Sequence, residues 1–355
     1  MAGYNAAVLA YGQTSSGKTS LVRGLRDGHE GDRAGLIVQS VQALLAGMRA
    51  DADPSRWSLR LSVIEVYNES VNCMLSGRTG LTLYDGKNGM LRVAELEESE
   101  PLQTAAMAAA LIQRSDQHAH IGATRHNERS SRAHVIFRLR IERRATVDEP
   151  TSALSEFHIA DLAGSERLSP HIRGATAAAA HTRGVEGAHI NKSLLVLSTV
   201  IQKLVESADV LRGSSASDAA SVSSSGAPPH VPYRSAKITR LLQGSLSGGA
   251  VSLIVCNVTP AATQVDETHN TLRFASRARK LSAAPVSTAQ PDMMLRLRKY
   301  ESEMASSRAE IQELREQLQQ QQQEVAAAAQ PLAPSQPPTQ PPTQPPTQPP
   351  TPQPN

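Results

Sequence analysis

Gly12-Gln13-Thr14-Ser15-Ser16-Gly17-Lys18-Thr19 matches G-x-x-x-x-G-K-[ST] in full, and its flanks decide what the motif is. Ahead of it, Ala6-Ala7-Val8-Leu9-Ala10-Tyr11 reads as a short buried strand. Behind it, Lys18-Thr19-Ser20-Leu21-Val22 reads as the start of a helix. Strand, glycine-rich loop and helix N-terminus together make a phosphate cradle. The glycines let the backbone curl until successive N–H groups point at phosphate oxygens, and the helix end adds its partial positive charge. Lys18 would reach the β- and γ-phosphates of a nucleotide, and Thr19 would offer its hydroxyl to Mg²⁺. A Gly/Ser-rich surface turn accounts for neither the Lys-Thr pair nor the strand before it.

The 355 residues allow one large domain with appendages. Aromatic residues make up 3% of the chain, so the core must rest on Leu, Val, Ile and Ala. Cys73 and Cys256 are too few for a disulfide framework or a zinc site, which favours a reducing, intracellular setting. No apolar run reaches ~18 residues and no basic-then-apolar leader is visible, so membrane insertion and secretion are not expected. A net charge of +3 says little about partners, and nucleic acid is not expected among them.

Residues 1–281 alternate apolar strand-like runs with helical patterns, as an α/β sheet with helices on both faces requires. The strand candidates are 6–11, 59–68, 132–142, 155–162 and 251–259. The last is nearly all apolar, as a strand buried on both faces should be. Residues 184–207 carry Ile190, Leu194, Leu197, Ile201 and Leu204 at helical spacing. The Ser/Ala/Gly-rich stretch 207–230 reads as a surface loop, and 282–292 as a linker. Over 293–325, Leu297, Tyr300, Met304, Ile311, Leu314, Leu318 and Val325 occupy a and d positions of one heptad register, weakened by Ser307 and Gln321. Residues 326–355 are a Gln/Pro/Thr-rich tail that favours an extended, solvated chain, either a spacer or an SH3-type ligand.

Two further segments narrow the chemistry. Asn127-Glu128-Arg129-Ser130-Ser131-Arg132-Ala133-His134 stands just before a strand, and Asp161-Leu162-Ala163-Gly164-Ser165-Glu166 just after one. A nucleotide switch needs hydroxyls approaching Mg²⁺ and the γ-phosphate, which suits Ser130 and Ser131. It needs a carboxylate at a strand end to hold the metal's water shell, which suits Asp161, and a glycine N–H that senses the γ-phosphate, which suits Gly164. Arg132 and Glu166 carry opposite charges and could latch the two segments.

These residues bring out a family. Residues 2–281 resemble the kinesin motor domain. The resemblance rests on the loop with its preceding Ala10-Tyr11, on Glu65-Val66-Tyr67-Asn68-Glu69, and on the two segments above, which match switch I and switch II. Ile190-Asn191-Lys192-Ser193-Leu194, Pro232-Tyr233-Arg234 and Glu267-Thr268 with Thr271-Leu272-Arg273-Phe274-Ala275 add to it. The resemblance implies a P-loop NTPase fold with a central, mostly parallel β-sheet flanked by helices. It implies ATP with Mg²⁺ held by Thr19, Ser130 and, through water, Asp161, and a microtubule-stimulated ATPase that moves along microtubules. The alternative is a non-motile microtubule-binding or nucleotide-sensing remnant.

The resemblance further implies that 184–207, 208–231 and 232–246 face tubulin, with Lys192, Arg234, Lys237 and Arg240 in contact. Arg234, Lys237 and Arg240 lie within seven residues with no acid among them, which suits an acidic partner surface. A microtubule-associated place in the cytoplasm follows, and the heptads imply a weak homodimer. The last stretch of the match, the linker and the heptads look closest to the CENP-E-like class. Kinesin motors also carry a strand ending in Arg-x-Arg-Pro, a second strand region and a helix ahead of the phosphate loop. With Gly12 only eleven residues after Met1, strand 251–259 is expected to run along an open apolar edge.

Overall fold

The computed structural model describes residues 3–25, 33–86, 91–118, 132–147, 149–166, 190–207, 230–281 and 285–328. The chain falls into two units, Met1–Arg296 and Leu297–Asn355.

The first unit opens with β1 (Asn5–Gly12), whose residues Ala7 to Ala10 are buried, and α1 (Lys18–Arg23) follows the glycine-rich loop. A two-residue ribbon, β2 (Gly24–Leu25) with β3 (Arg33–Ala34), leads to α2 (Leu36–Arg49). The long strand β4 (Trp57–Tyr67) turns back into β5 (Ser70–Cys73), and a small hairpin, β6 (Leu83–Asp85) with β7 (Leu91–Val93), follows. Helix α3 (Ala105–Gln117) is capped by Thr104, whose hydroxyl accepts the Met107 N–H at 3.3 Å. Then come β8 (His134–Arg143) and β9 (Thr151–Asp161), helix α4 over 190–207, and the short helices α5 (Lys237–Leu241) and α6 (Gln243–Leu246). Strand β10 (Ala250–Asn257), helix α7 (Val265–Ala278) and strand β11 (Ala289–Pro291) complete the unit.

The central sheet runs β10-β1-β9-β8-β4-β5, with β11 added on β9. Its direction is mixed, where the sequence reading implied mostly parallel strands. Only β1 is parallel to its neighbours, β10 and β9. From β9 outward every pairing is antiparallel. Connection length accounts for two of these pairs: a two-residue turn joins β4 to β5 and a short link joins β8 to β9, and such links force antiparallel pairing, whereas a parallel pair needs a crossover of a dozen or more residues. Tyr67 and Ser70 pair across Asn68 and Glu69, at φ 50° and 58°, a two-residue turn of the type that suits twisted hairpins.

Leu59, Leu61, Ile64, Ile136, Phe137, Leu139 and Ile159 form the centre of the core, each under 3% exposed. Helix α4 buries Ile190, Leu194, Leu197, Val200 and Ile201, the stripe its spacing predicts, with Leu204 packed at its margin. Strand β10 departs from the expectation of burial on both faces. It ends the described sheet, and Val251 and Leu253, which share one face of the strand, are half-exposed.

Part of the expected linker joins the first unit. The Val286 N–H donates to Gly249 O at 3.0 Å, the Thr288 hydroxyl to Gly3 O at 2.8 Å, and β11 pairs antiparallel with Thr151–Ala153. Helix α8 (Met293–Ala328) begins where Asp292 accepts the N–H groups of Met294 and Leu295. Its Leu297, Tyr300, Met304, Ile311, Leu314, Leu318 and Val325 are all at least half-exposed.

Candidate functional site

The site grows from the C-terminal end of β1. Gly12 closes the β1–β10 ladder opposite Asn257 at φ 147°, and a Cβ there would run into the Asn257 carbonyl oxygen. Only glycine lets the chain leave the strand at this point. The Ser16 N–H and hydroxyl both reach Gln13 O, at 3.3 and 2.8 Å, and Gly17 begins α1 at φ 95°. The loop is therefore curled by its own bonds.

Lys18 is 6% exposed, and its ammonium donates to the carbonyls of Gly12 at 2.8 Å and Gln13 at 2.7 Å. Burial pulls its pKa down, and the carboxylates of Asp161 and Glu166 oppose that shift. A buried cation in the curl of a glycine-rich loop is a receptor for anionic oxygen. The Thr19 hydroxyl donates to Asp161 Oδ2 at 2.7 Å, and the other carboxylate oxygen, Oδ1, is buried without a partner. Burial raises the Asp161 pKa, while the Thr19 hydroxyl, Arg23 and Lys18 pull it back.

The segment after β9 meets the loop directly. Leu162 N–H extends the pairing of β9 with β1 by donating to Ala10 O at 3.2 Å, and Ser165 N–H donates to Gly12 O at 3.1 Å. The Glu166 carboxylate accepts the Thr14 N–H at 2.8 Å and also the Thr14 hydroxyl. Gly164 sits so close beneath this contact that a Cβ would overlap both the carboxylate and Thr14 Oγ1. On the other side, the Tyr11 ring stacks on Phe274 of α7 with centroids 3.8 Å apart, and Gln13 Nε2 donates to Gln264 Oε1 at 3.3 Å.

Nucleotide and Mg²⁺ fit this setting. Gln13 Oε1, Asp161 Oδ1 and Asn257 Oδ1 are all buried polar atoms without partners, and they belong to the loop or to strand ends beside it. Buried acceptors left unpaired are costly, and a hydrated cation or a ligand relieves them. Among the described residues no group of three or more His, Cys, Asp and Glu side chains could hold a metal ion by itself.

The structure thus brings Gly12 to Thr19 together with Asp161, Gly164 and Glu166. Asn127, Ser130 and Ser131 lie outside the described residues, as do 184–189 and 208–229 of the expected tubulin face. Arg132 is half-buried just before β8.

The basic cluster is modified by acidic residues from other elements. Arg234 lies in a turn before α5, and Arg234 and Arg240 both reach Asp85 on β6, at 3.1 and 3.4 Å. Glu69, the second residue of the β4–β5 turn, accepts the Lys237 N–H at 2.9 Å and so caps α5. Absence of acids within the segment gave no sign of acids brought in by folding. Lys192 is exposed on the first turn of α4.

Comparison with known proteins gives a consistent answer. The family model of the kinesin motor domain matches residues 1–281. Kinesin-like protein KIN-7K, chloroplastic, of Oryza sativa subsp. japonica is 37% identical over 317 residues, covering 89% of this chain and 27% of its own length. Kinesin-related protein 11 of Dictyostelium discoideum is 35% identical over 323 residues, covering 88% of this chain and 42% of its own. The chain therefore spans about a quarter of the length of the first of these relatives. A solved fast kinesin superposes with a TM-score of 0.64 at 28% identity, over 81% of this chain and 74% of that one. A KIF14 dimer in the two-heads-bound state, with AMP-PNP in complex with a microtubule, gives 0.65 at 28% identity over the same shares.

Proposed function

The chain belongs to the kinesin motor-domain family, and from that membership we propose that it is a microtubule-stimulated ATPase that converts ATP hydrolysis into movement along microtubules. The observation that carries this reading is the convergence on one loop of buried Lys18, the Thr19–Asp161 bond with Asp161 Oδ1 open, and the Thr14–Glu166 contact.

Gly12 to Thr19 would cradle the phosphates of ATP. Lys18, now bonded to two loop carbonyls, would exchange them for β- and γ-phosphate oxygens at little desolvation cost, because it is already buried. Thr19 and Asp161, the latter through water, would hold Mg²⁺ together with Ser130. The bound ion supplies charge neutralisation on the phosphates. Gly164 would offer a backbone N–H to the γ-phosphate, and Ser131 and Asn127 would complete the switch I side. Glu166 would then leave Thr14 for Arg132, closing the latch on the nucleotide.

Microtubules are the proposed partner, through Lys192, Arg234, Lys237 and Arg240, and the cytoplasmic cytoskeleton is the proposed location. The KIF14 complex supports this by likeness, and the exposure of Lys192 and Arg234 supports it on this chain. Residues 1–281 are the proposed motor, 282–292 its linker, 293–325 a short coiled coil that pairs with a second copy, and 326–355 a tail. The CENP-E-like class is the proposed subclass, on the order of motor, linker and heptads. The test is co-sedimentation with microtubules in a non-hydrolysable ATP analogue and in ADP. Tighter pelleting with the analogue is expected; equal pelleting in both would separate nucleotide from track and undo the reading.

A further inference from the structure

His134 is 3% exposed and bonded to two separate segments. The Ala163 N–H donates to its Nδ1 at 3.1 Å. With Nδ1 accepting, the ring proton lies on Nε2, which donates to Ser193 Oγ at 2.8 Å. The Ser193 hydroxyl in turn donates to Ile190 O, also at 2.8 Å, inside the first turn of α4. Donor and acceptor alternate along the whole chain of bonds without a spare or a clash. Burial, with Lys18 nearby, depresses the imidazole pKa to about 4 and keeps it in the neutral form this chain needs.

The placement is what matters. Ala163 lies between Asp161 and Gly164, so its peptide moves whenever switch II moves. Ser193 follows Lys192, which faces outward on the same turn. His134 itself begins the strand that switch I feeds. From this we propose that His134 is a positioning residue, coupling the switch II backbone to the first turn of α4 so that nucleotide state and the outward face of that helix shift together. The inference rests on the motor reading above for the meaning of that outward face. An apolar side chain would fill the volume as well; it would not carry the directional bonds.

The experiment compares basal and microtubule-stimulated ATPase in Ser193→Ala, His134→Asn and His134→Gln. Ser193→Ala removes the acceptor on α4 and leaves the Ala163 bond. His134→Asn keeps an acceptor near Nδ1 and loses the reach to Ser193, whereas His134→Gln keeps an N–H at the reach of Nε2. Ser193→Ala should lower the stimulated kcat about tenfold while basal turnover changes less than about twofold, His134→Asn should lower stimulated turnover at least as much, and the double variant should be no worse than the poorer single one. His134→Gln should retain more stimulation than His134→Asn. Equal loss of basal and stimulated turnover, or additive losses, would overturn the proposal.

A second readout does not need tubulin. Amide hydrogen exchange at Ala163 and along the first turn of α4 should change together between ADP and ATP-analogue states, and in Ser193→Ala only the Ala163 response should persist. An unchanged α4 response in that variant overturns the coupling. Absence of microtubule stimulation in the parent protein, with the exchange pattern intact, would instead count against the motor reading.

Discussion

Replacing Gly12 by Ala tests the loop at the point where it leaves the sheet. The φ of 147° is one that side-chain-bearing residues rarely adopt, which costs about 1 kcal/mol. The added Cβ also meets the Asn257 carbonyl oxygen, a backbone atom that cannot swing aside. Gly12 and Asn257 are the last of eight paired positions between β1 and β10, so relief comes by opening that final rung. Losing its bonding costs a further ~1–3 kcal/mol. The sum, about 2–4 kcal/mol, corresponds to a fall in Tm of about 4–8 °C for a unit of this size.

Two controls separate the causes. Gly80→Ala has a φ of 72° but open space around the Cβ, so it should lose only the strain, about 2 °C. Gly244→Ala, in a helix with nothing within 4 Å, should gain up to about 2 °C from helix propensity. Thermal unfolding followed by circular dichroism reads all three. A Gly12→Ala protein melting with Gly80→Ala would refute the claim that β10 closes on the loop.

Other consequences follow from the same contacts. Lys18→Ala should weaken binding of a fluorescent ATP analogue by about 30-fold or more, since a buried charge-assisted contact worth ~2–3 kcal/mol is lost; a change under threefold would remove Lys18 from the phosphate site. Thr14→Ala and Glu166→Ala should be strongly non-additive in thermal stability of the nucleotide-free protein, and additivity would show that the contact is incidental. Asp85→Asn should strengthen microtubule co-sedimentation at low salt by about two- to threefold, with the gain fading at high salt, because Arg234 and Arg240 are released; no change at low salt would place the track elsewhere. For pH, the folded-state pKa of His134 is about 4 against an ordinary 6.5, so the unfolded chain takes up the proton first. Stability should be full above pH 6.5 and decline as pH falls toward about 4, and His134→Asn should flatten that part of the profile in a denaturant titration.

The strand–loop–helix unit was legible because every part of it is local: an apolar run, two glycines five residues apart and a Lys-Thr pair. Helix α4 was legible for the same reason, its buried stripe being written at one spacing. Strand direction was less so. Asn68 and Glu69 form a hairpin turn without the glycine that usually signals one, and that turn fixes β5 antiparallel to β4. The contacts that tune the site join positions far apart. Thr14 meets Glu166 across 152 residues, Arg234 meets Asp85 across 149, and His134 meets Ser193 across 59. Charge and hydroxyl content within a segment carry no record of such partners; only the sheet order brings them together.

The most direct test of the account is steady-state ATPase activity of this chain titrated with microtubules in the presence of Mg²⁺. The geometry around Lys18, Thr19 and Asp161 predicts slow basal turnover that rises with microtubule concentration to a plateau and disappears in Lys18→Ala. Turnover that is absent, or that stays at the basal rate across the titration while the chain still binds nucleotide, would contradict it.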